Sequence, residues 1–350
     1  MRHRERRERV LAAVGHPVLV TEPTNVRYLT GFTGSNGQLL LDDPSFFFTD
    51  GRYATQSSEQ VPDCERVLYE QNTSFVPRLG EILSASGIGE LGLEASHVTV
   101  QALRTLTDGL PGVRLVETTR SVERVRMLKE PEEVELIRRA QVIAESALTG
   151  VMQRWQGGTE LDLALELEWA VRTSGADAVS FEVIVASGPR SALPHARPSR
   201  ERIDPDAVLL VDMGARVQGY CSDMTRTWTN RAPDPMRDVH AAVVEALEAA
   251  LAVLRPGVLA ADVDREAREV LSRAGYGEAF VHSTGHSLGL DIHEQPRLAG
   301  GSQTVLEEGM VLTVEPGAYL PGLGGVRVED LVLVTSDGYE NLTSLPRQPV

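Results

Sequence analysis

Four carboxylates in the C-terminal part of the chain stand where apolar strands end and turns begin. Asp212 closes the run AVLLVD and Glu315 closes VLTVE, and a glycine turn follows each, in DMG and in EPG. Asp223 and Glu329 stand on the returning arms, in SDMTRT and VRVED. A carboxylate carried into a buried strand is costly unless something pairs with it. Four side by side raise one another's pKa values and cannot all ionise without cations. Two divalent ions would balance the four charges. The segment HSTGHSLGLDIHEQP adds His282, His286 and His293, in a chain with 8 histidines. Gly285 and Gly289 allow the close backbone approach that a fixed, ligating imidazole needs. Hard oxygen ligands with one imidazole favour manganese, cobalt, iron or zinc over thiophilic metals.

The elements that must position these groups are written twice. One half runs helix, helix, FEVIVASG, then AVLLVDMGARVQGYCSDMTRTW. The other has helices near 235–254 and 260–275, then AFVHSTGHSLGL and GMVLTVEPGAYLPGLGGVRVEDLVLV. In each half an apolar strand ends in an acid, bends at glycine, and returns through a second strand carrying another acid. An internal duplication of about 100 residues with one hairpin per half accounts for the match. The first third reads differently. Short strands at 18–20, 38–41, 46–49, 91–93 and 113–116 alternate with helices near 74–85 and 100–110, the pattern of a small α/β domain. A change to helical spacing after about Arg120 predicts the domain boundary there.

Composition narrows the function classes. Acids outnumber bases 50 to 34, a net charge of −16, which repels a phosphate backbone, so nucleic acid is not an expected partner. The basic start, MRHRERRER, is short and interleaved with acids. His16 and Pro17 break the apolar stretch behind it, so the start reads as an amphipathic helix rather than a signal peptide. Two cysteines, Cys64 and Cys221, exclude a disulfide scaffold and a thiolate zinc site, and they suit a cytoplasmic location. Cys221 shares a strand face with Asp223 and reads as a small core filler. No apolar run reaches the roughly 20 residues of a membrane helix.

Three motifs are decoys. GHSLG is a literal G-x-S-x-G, which would make Ser287 a hydrolase nucleophile, but the next histidine along the chain, His293, is too near to return as a triad base. His293-Glu294 begins like H-E-x-x-H, yet the fifth position is Arg297. Gly322–Gly325 lack the GK[ST] of a phosphate loop and read as a hairpin bend.

With VDMG, SDMTRT, GHSLGLDIHEQP, VEPGAY and VRVED in place, the chain resembles the pita-bread metallopeptidases: aminopeptidase P, prolidase and, more distantly, methionine aminopeptidase. The resemblance covers the whole chain. It implies an α/β N-terminal domain over 1–120. Over 121–350 it implies an α+β pita-bread catalytic domain with a pseudo-two-fold internal duplication. By the same resemblance Asp212, Asp223, His286, Glu315 and Glu329 hold two divalent ions, manganese foremost, with Asp223 and Glu329 touching both. The proline-specific branch is similar in LPHARPS, where His195 matches a catalytic histidine, and in His293 and Arg327.

The resemblance implies hydrolysis of the bond before proline in a small peptide. Glu315 would act as the proton shuttle, and His195 and His293 would orient the substrate. Arg327, two residues before Glu329 on the same expected strand, is read evenly as a ligand-holding salt bridge or a substrate contact. Xaa-Pro dipeptidase is the first expectation and Xaa-Pro aminopeptidase the alternative. A serine hydrolase and a non-catalytic pita-bread module are remote ones. Arg190, Arg197 and Arg327 are the candidates to grip a dipeptide carboxylate. Family members are usually homodimers, and the TGFTGSNG stretch near 31–37 is expected to be a mobile loop.

Overall fold

The computed structural model describes residues 2–229, 231–232 and 234–348. The chain forms two compact units, residues 1–126 and 127–350.

The first unit is built on a six-stranded mixed sheet, in the order Glu65–Tyr69, Phe46–Asp50, Gln38–Leu41, Val18–Val20, Glu90–Glu94, Arg114–Thr118. Five of these strands are legible from alternating or apolar runs. The sixth, Glu65–Tyr69, is a half-exposed edge strand whose polar residues hide its pattern. The arginine-rich start folds inward. The helix His3–Val14 buries Arg6 over the ring of Tyr28, 4.1 Å from its centroid, and Arg6 donates to the Tyr28 carbonyl. Arg7 is buried too, pairing with Asp63 at 2.7 Å. The 31–37 segment is pinned rather than free. Phe32 is buried edge-to-face on Phe47, and Asn36 donates to Asp50. The unit ends after Arg126 rather than near Arg120, because the helix Ser121–Arg126 belongs to it. Arg126 donates to Asn25, and Asn25 in turn donates to Glu123.

The second unit repeats one motif. Helices Pro131–Arg154 and Glu160–Thr173 precede three antiparallel strands, ordered Met224–Trp228, Leu209–Met213, Ile184–Ser187. Helices Asp234–Val253 and Ala260–Arg273 precede the counterparts Asp330–Val334, Val311–Val314, Gly285–Ser287. Glu294–Leu298 and Tyr339–Asn341 extend the second sheet at its edges. Each half also carries its hairpin: Ala215–Val217 with Tyr220–Cys221, and Gly317–Leu320 with Gly324–Arg327. The first hairpin turns at Gln218 and Gly219, both at positive φ, as a tight two-residue turn requires. The two helix pairs cover their own sheets, giving two apolar cores.

Two glycines let main chains touch where the acids lie. A Cβ on Gly214 would fall on the Ser222 carbonyl, and one on Gly285 would fall on the Thr313 carbonyl. These contacts bring the Asp212 and Asp223 arms together in one half, and the His286 and Glu315 arms in the other.

Arg226 fastens the halves to each other. Fully buried, it pairs with Asp330 at 2.9 Å and donates to the carbonyls of Thr225, Glu329, Leu345 and Pro346. Removing one member of a buried pair leaves an uncompensated charge, at a cost of about 3–5 kcal/mol. Arg226→Ala should therefore lower unfolding stability by about that amount, read from the urea midpoint by tryptophan fluorescence. An unmoved midpoint would refute the clamp.

Candidate metal centre and active-site cavity

Most of the candidate ligands sit at or next to a strand end, and Asp212 lies within a paired strand. Asp212 lies in Leu209–Met213 opposite Thr225. Asp223 immediately precedes Met224–Trp228, and Glu329 immediately precedes Asp330–Val334. Glu315 lies just past Val311–Val314. Glu329 and Arg327, expected on one strand, are separated by a break at Val328, because Gly324–Arg327 pairs in the hairpin and Asp330–Val334 in the sheet. His286 is the middle residue of Gly285–Ser287, at a register shift that re-aims its side chain.

These elements bring the four acids and His286 to one cavity of about 570 Å³, together with His195, His293 and Arg327. His286 Nδ1 lies 3.0 Å from the Ser287 carbonyl, which can only accept. Nδ1 must therefore carry the proton, which leaves a lone pair on Nε2. That lone pair faces Asp223 Oδ2 and Glu315 Oε1, each 3.6 Å away. Burial, followed by the neighbouring His293, pushes the His286 pKa down to about 4, so the ring is neutral at pH 7. A neutral nitrogen pointing at two carboxylates is repulsive unless a cation lies between them. Asp223, His286 and Glu329 offer ligand atoms within 4.8 Å of one another. Asp212 Oδ1, Asp223 Oδ1 and Glu329 Oε1 are buried with no hydrogen-bond partner. Burial, reinforced by the other acids, raises Asp223 and Glu329 well above the carboxylate range, and burial lifts Glu315 to about 7. Orphaned oxygens, a free imidazole lone pair and mutual repulsion together fit divalent metal.

The remaining carboxylate oxygens are held by protein. Arg327, 3% exposed, donates from Nη2 to Asp212 Oδ2 at 2.6 Å and from Nε to Thr225 Oγ1 at 3.0 Å. Thr225 Oγ1 donates to Glu329 Oε2 at 2.7 Å. Arg327 Nη1 donates to Pro194 O and to Tyr319 Oη. Tyr319 then donates to His282 Nε2 at 2.9 Å, because His282 Nδ1 is committed to the Ser283 carbonyl. Of the two roles read for Arg327, the geometry supports the ligand-holding one. Four of its five N–H groups are spent on protein.

The other arginines divide sharply. Arg190 is tied to Glu160 at 2.9 Å and to the Arg197 carbonyl at 2.7 Å, and it is not among the cavity's lining residues. Arg197 is largely exposed, 3.7 Å from Glu182. Arg297 enters the sequence reading only as the residue that spoils an H-E-x-x-H pattern. It lines the cavity, and no hydrogen bond or ion pair is formed by its side chain among the described residues. Its backbone partner across the sheet is His286, so strand pairing was the signal that would have found it. Ser287 is fully buried, accepts from Lys129 Nζ at 2.8 Å and is not among the cavity's lining residues. It cannot act as an exposed nucleophile. Cys221 is buried, burial pushes its thiol up to about 11, and it does not line the cavity.

Residues 135–336 match the model of metallopeptidase family M24. The chain belongs to metallopeptidase family M24. Residues 12–128 match the creatinase/prolidase N-terminal domain, so both units have their counterparts in that family. A Bacillus subtilis protein named "Uncharacterized peptidase YqhT" is 38% identical over 95% of this chain and 94% of its own. The solved Xaa-Pro dipeptidase from Bacillus anthracis is 35% identical, covers 99% of both chains and has a TM-score of 0.96. The X-Pro aminopeptidase structure from Thermotoga maritima is 34% identical, covers 97% of this chain and 99% of that one, and has a TM-score of 0.90. The architecture is that of prolidases and aminopeptidases P, with a pita-bread catalytic unit, and the protein is a peptidase.

Stripping the metal should expose the repulsion. In metal-free protein the raised carboxylates hold more protons folded than unfolded, so stability falls as pH rises. The fall starts above the ordinary glutamate value of 4.5 and continues to about 7 for Glu315. Chelated protein should melt lower at about pH 7.5 than at about pH 5.5. Divalent metal at a hundredfold excess over Kd should restore about 2.7 kcal/mol, mostly at the higher pH. Identical melting with and without metal at both pH values would refute the site.

Proposed function

We propose that the protein hydrolyses the Xaa-Pro peptide bond with two divalent metal ions, and that it prefers free Xaa-Pro dipeptides. The observation that carries this reading is the convergence of four acids, three of them buried, and the His286 lone pair on one cavity that also holds His195, His293 and Arg297, whose side chain forms no hydrogen bond or ion pair among the described residues. Asp212, Asp223, His286, Glu315 and Glu329 would hold the ions. Bound there, the ions would supply Lewis-acid charge at the scissile carbonyl and make water a nucleophile at neutral pH.

The chain's own residues do the rest. Glu315, on the cavity wall beside His286, would take a proton from the attacking water and pass it to the leaving nitrogen. When proline follows the cleaved bond, that nitrogen has no N–H, so the substrate is recognised by ring shape and by its carbonyl and carboxylate. Phe181, Ile184, Ile292 and Pro194 give the cavity an apolar wall for a pyrrolidine ring to pack against. His195 and His293 stand on the cavity wall as hydrogen-bonding groups for the substrate carbonyl. Arg297, free of protein partners, suits the dipeptide carboxylate, and its planar fork grips such a group at two points. The reading extends to manganese as the resident ion, a homodimeric assembly, and a cytoplasmic location, in keeping with two free cysteines. An aminopeptidase acting on longer peptides is the second reading. The similarity to the Thermotoga maritima aminopeptidase, nearly equal to that of the Bacillus anthracis dipeptidase, favours it.

Two measurements test these roles. His195→Ala and His293→Ala should keep their metal yet lose kcat by roughly 10²-fold, the scale of a lost acid–base or oxyanion group. Either variant purifying without metal would reassign that histidine as a ligand. Assays of Ala-Pro, its C-terminal amide and Ala-Pro-Ala decide the substrate. The free dipeptide should be turned over fastest, and Arg297→Ala should remove that advantage by raising KM and lowering kcat together. Equal turnover of all three would make the enzyme an aminopeptidase.

A further inference from the structure

His195 enters the cavity from a segment with little bonding of its own. Between Ser187 and Ser199 the chain has one short 3-10 turn, Gly188–Ala192, and no strand. Leu193 N bonds to Arg190 O and Ala196 N to Leu193 O. Such a segment holds a side chain in register only if something outside it fixes its ends.

The middle of the segment is seated by Ser191 Oγ, which accepts from Gly325 N at 2.8 Å, and Gly188 N bonds to Val208 O. Its two ends meet at one buried carboxylate. Glu160 opens the helix Glu160–Thr173, where the helix N-terminus favours negative charge, and it is 1% exposed. Its Oε1 accepts from Ser187 N at 2.8 Å. Its Oε2 accepts from Ser199 N at 2.9 Å, Ser199 Oγ at 2.7 Å and Arg190 Nε at 2.9 Å. Both ends of the segment are therefore tied to one anion. Arg190 carries the tie inward, its Nη2 donating to the carbonyl of Arg197, close behind His195. On the other side of His195, the Pro194 carbonyl accepts from Arg327. Four donors occupy Glu160, and it does not line the cavity, so it meets no substrate.

We propose that Glu160 is a positioning residue for catalysis: by closing the 187–199 segment on one carboxylate, with Arg190 as its extension, it sets where His195 stands in the cavity. The inference rests on the reading of His195 as a substrate-orienting group. A displacement of about 1 Å in such a group can cost roughly 10²-fold in rate. A bare contribution to folding would leave no trace specific to His195.

The test is a double-mutant cycle on the metal-loaded full chain with Ala-Pro as substrate. Glu160→Gln puts an amide N–H₂ among four donors. It should lower kcat by roughly 10²-fold with metal content and KM near the parent values. Amide hydrogen exchange should quicken in 188–198 and stay unchanged around the metal ligands. In a His195→Ala background the same substitution should cost less than about twofold. An equal loss in both backgrounds, loss of metal alongside activity, or unchanged exchange in 188–198 would overturn the proposal. If His195→Ala alone leaves kcat intact, the reading of His195 fails and takes the catalytic role of Glu160 with it. Faster exchange in Glu160→Gln would then still report the tie itself. Should Glu160→Gln not fold, Arg190→Ala removes the extension alone. It should lower kcat by about 10-fold, again only where His195 is present, and additive losses would count against the proposal.

Discussion

Repulsion among buried carboxylates is the constraint around which the second unit is organised. Asp212, Asp223, Glu315 and Glu329 are held closer together than their charges tolerate, facing an imidazole lone pair that cannot relieve them. Arg327 answers part of that charge through Asp212. The oxygens left without partners call for positive charge from outside the chain. A fold can keep such a cluster only if the surrounding structure is rigid enough to refuse the relaxation that would separate it.

That rigidity comes from the duplication. Each half builds its own helix-covered sheet and delivers its acids from strand ends. The centre forms because the two sheets are fastened across their junction. Arg226 from the first half is buried on Asp330 and on the Glu329 carbonyl of the second. Thr225 receives Arg327 and donates to Glu329, and the Glu329 amide bonds to the Thr225 carbonyl. Arg327 also reaches the Pro194 carbonyl, so one guanidinium fixes both a ligand carboxylate and the loop of His195. Metal site and substrate wall share a single scaffold.

Burial separates working residues from lookalikes. Ser287 sits in a nucleophile motif, yet it is sealed against Lys129. The N-terminal arginines cluster along the sequence, yet Arg6 and Arg7 are folded into their own unit. Arg190 looks available for a carboxylate and is already spent on Glu160. In each case a motif specifies residue type and spacing, while accessibility depends on which neighbours the chain folds against it.

The sequence by itself determined the duplicated frame, the α/β nature of the first unit and the four acids at strand ends, while resemblance to a family singled out His286 from three histidines. Those features are written in local terms: apolar runs of strand length, acids at their ends, glycines at the turns. Only the tertiary structure decided what Arg327 touches, that the Tyr319–His282 pair is bonded to it, and that the Arg297 side chain lines the cavity with no hydrogen bond or ion pair among the described residues. It also moved the unit boundary to Arg126 and exposed Glu160 as the anchor of the His195 segment. These contacts join residues far apart in the chain, as Arg327 with Pro194 and Glu160 with Ser199 do. Charge, periodicity and spacing report on neighbours along the chain. Hydrogen-bond partners are chosen by packing, which no local pattern encodes.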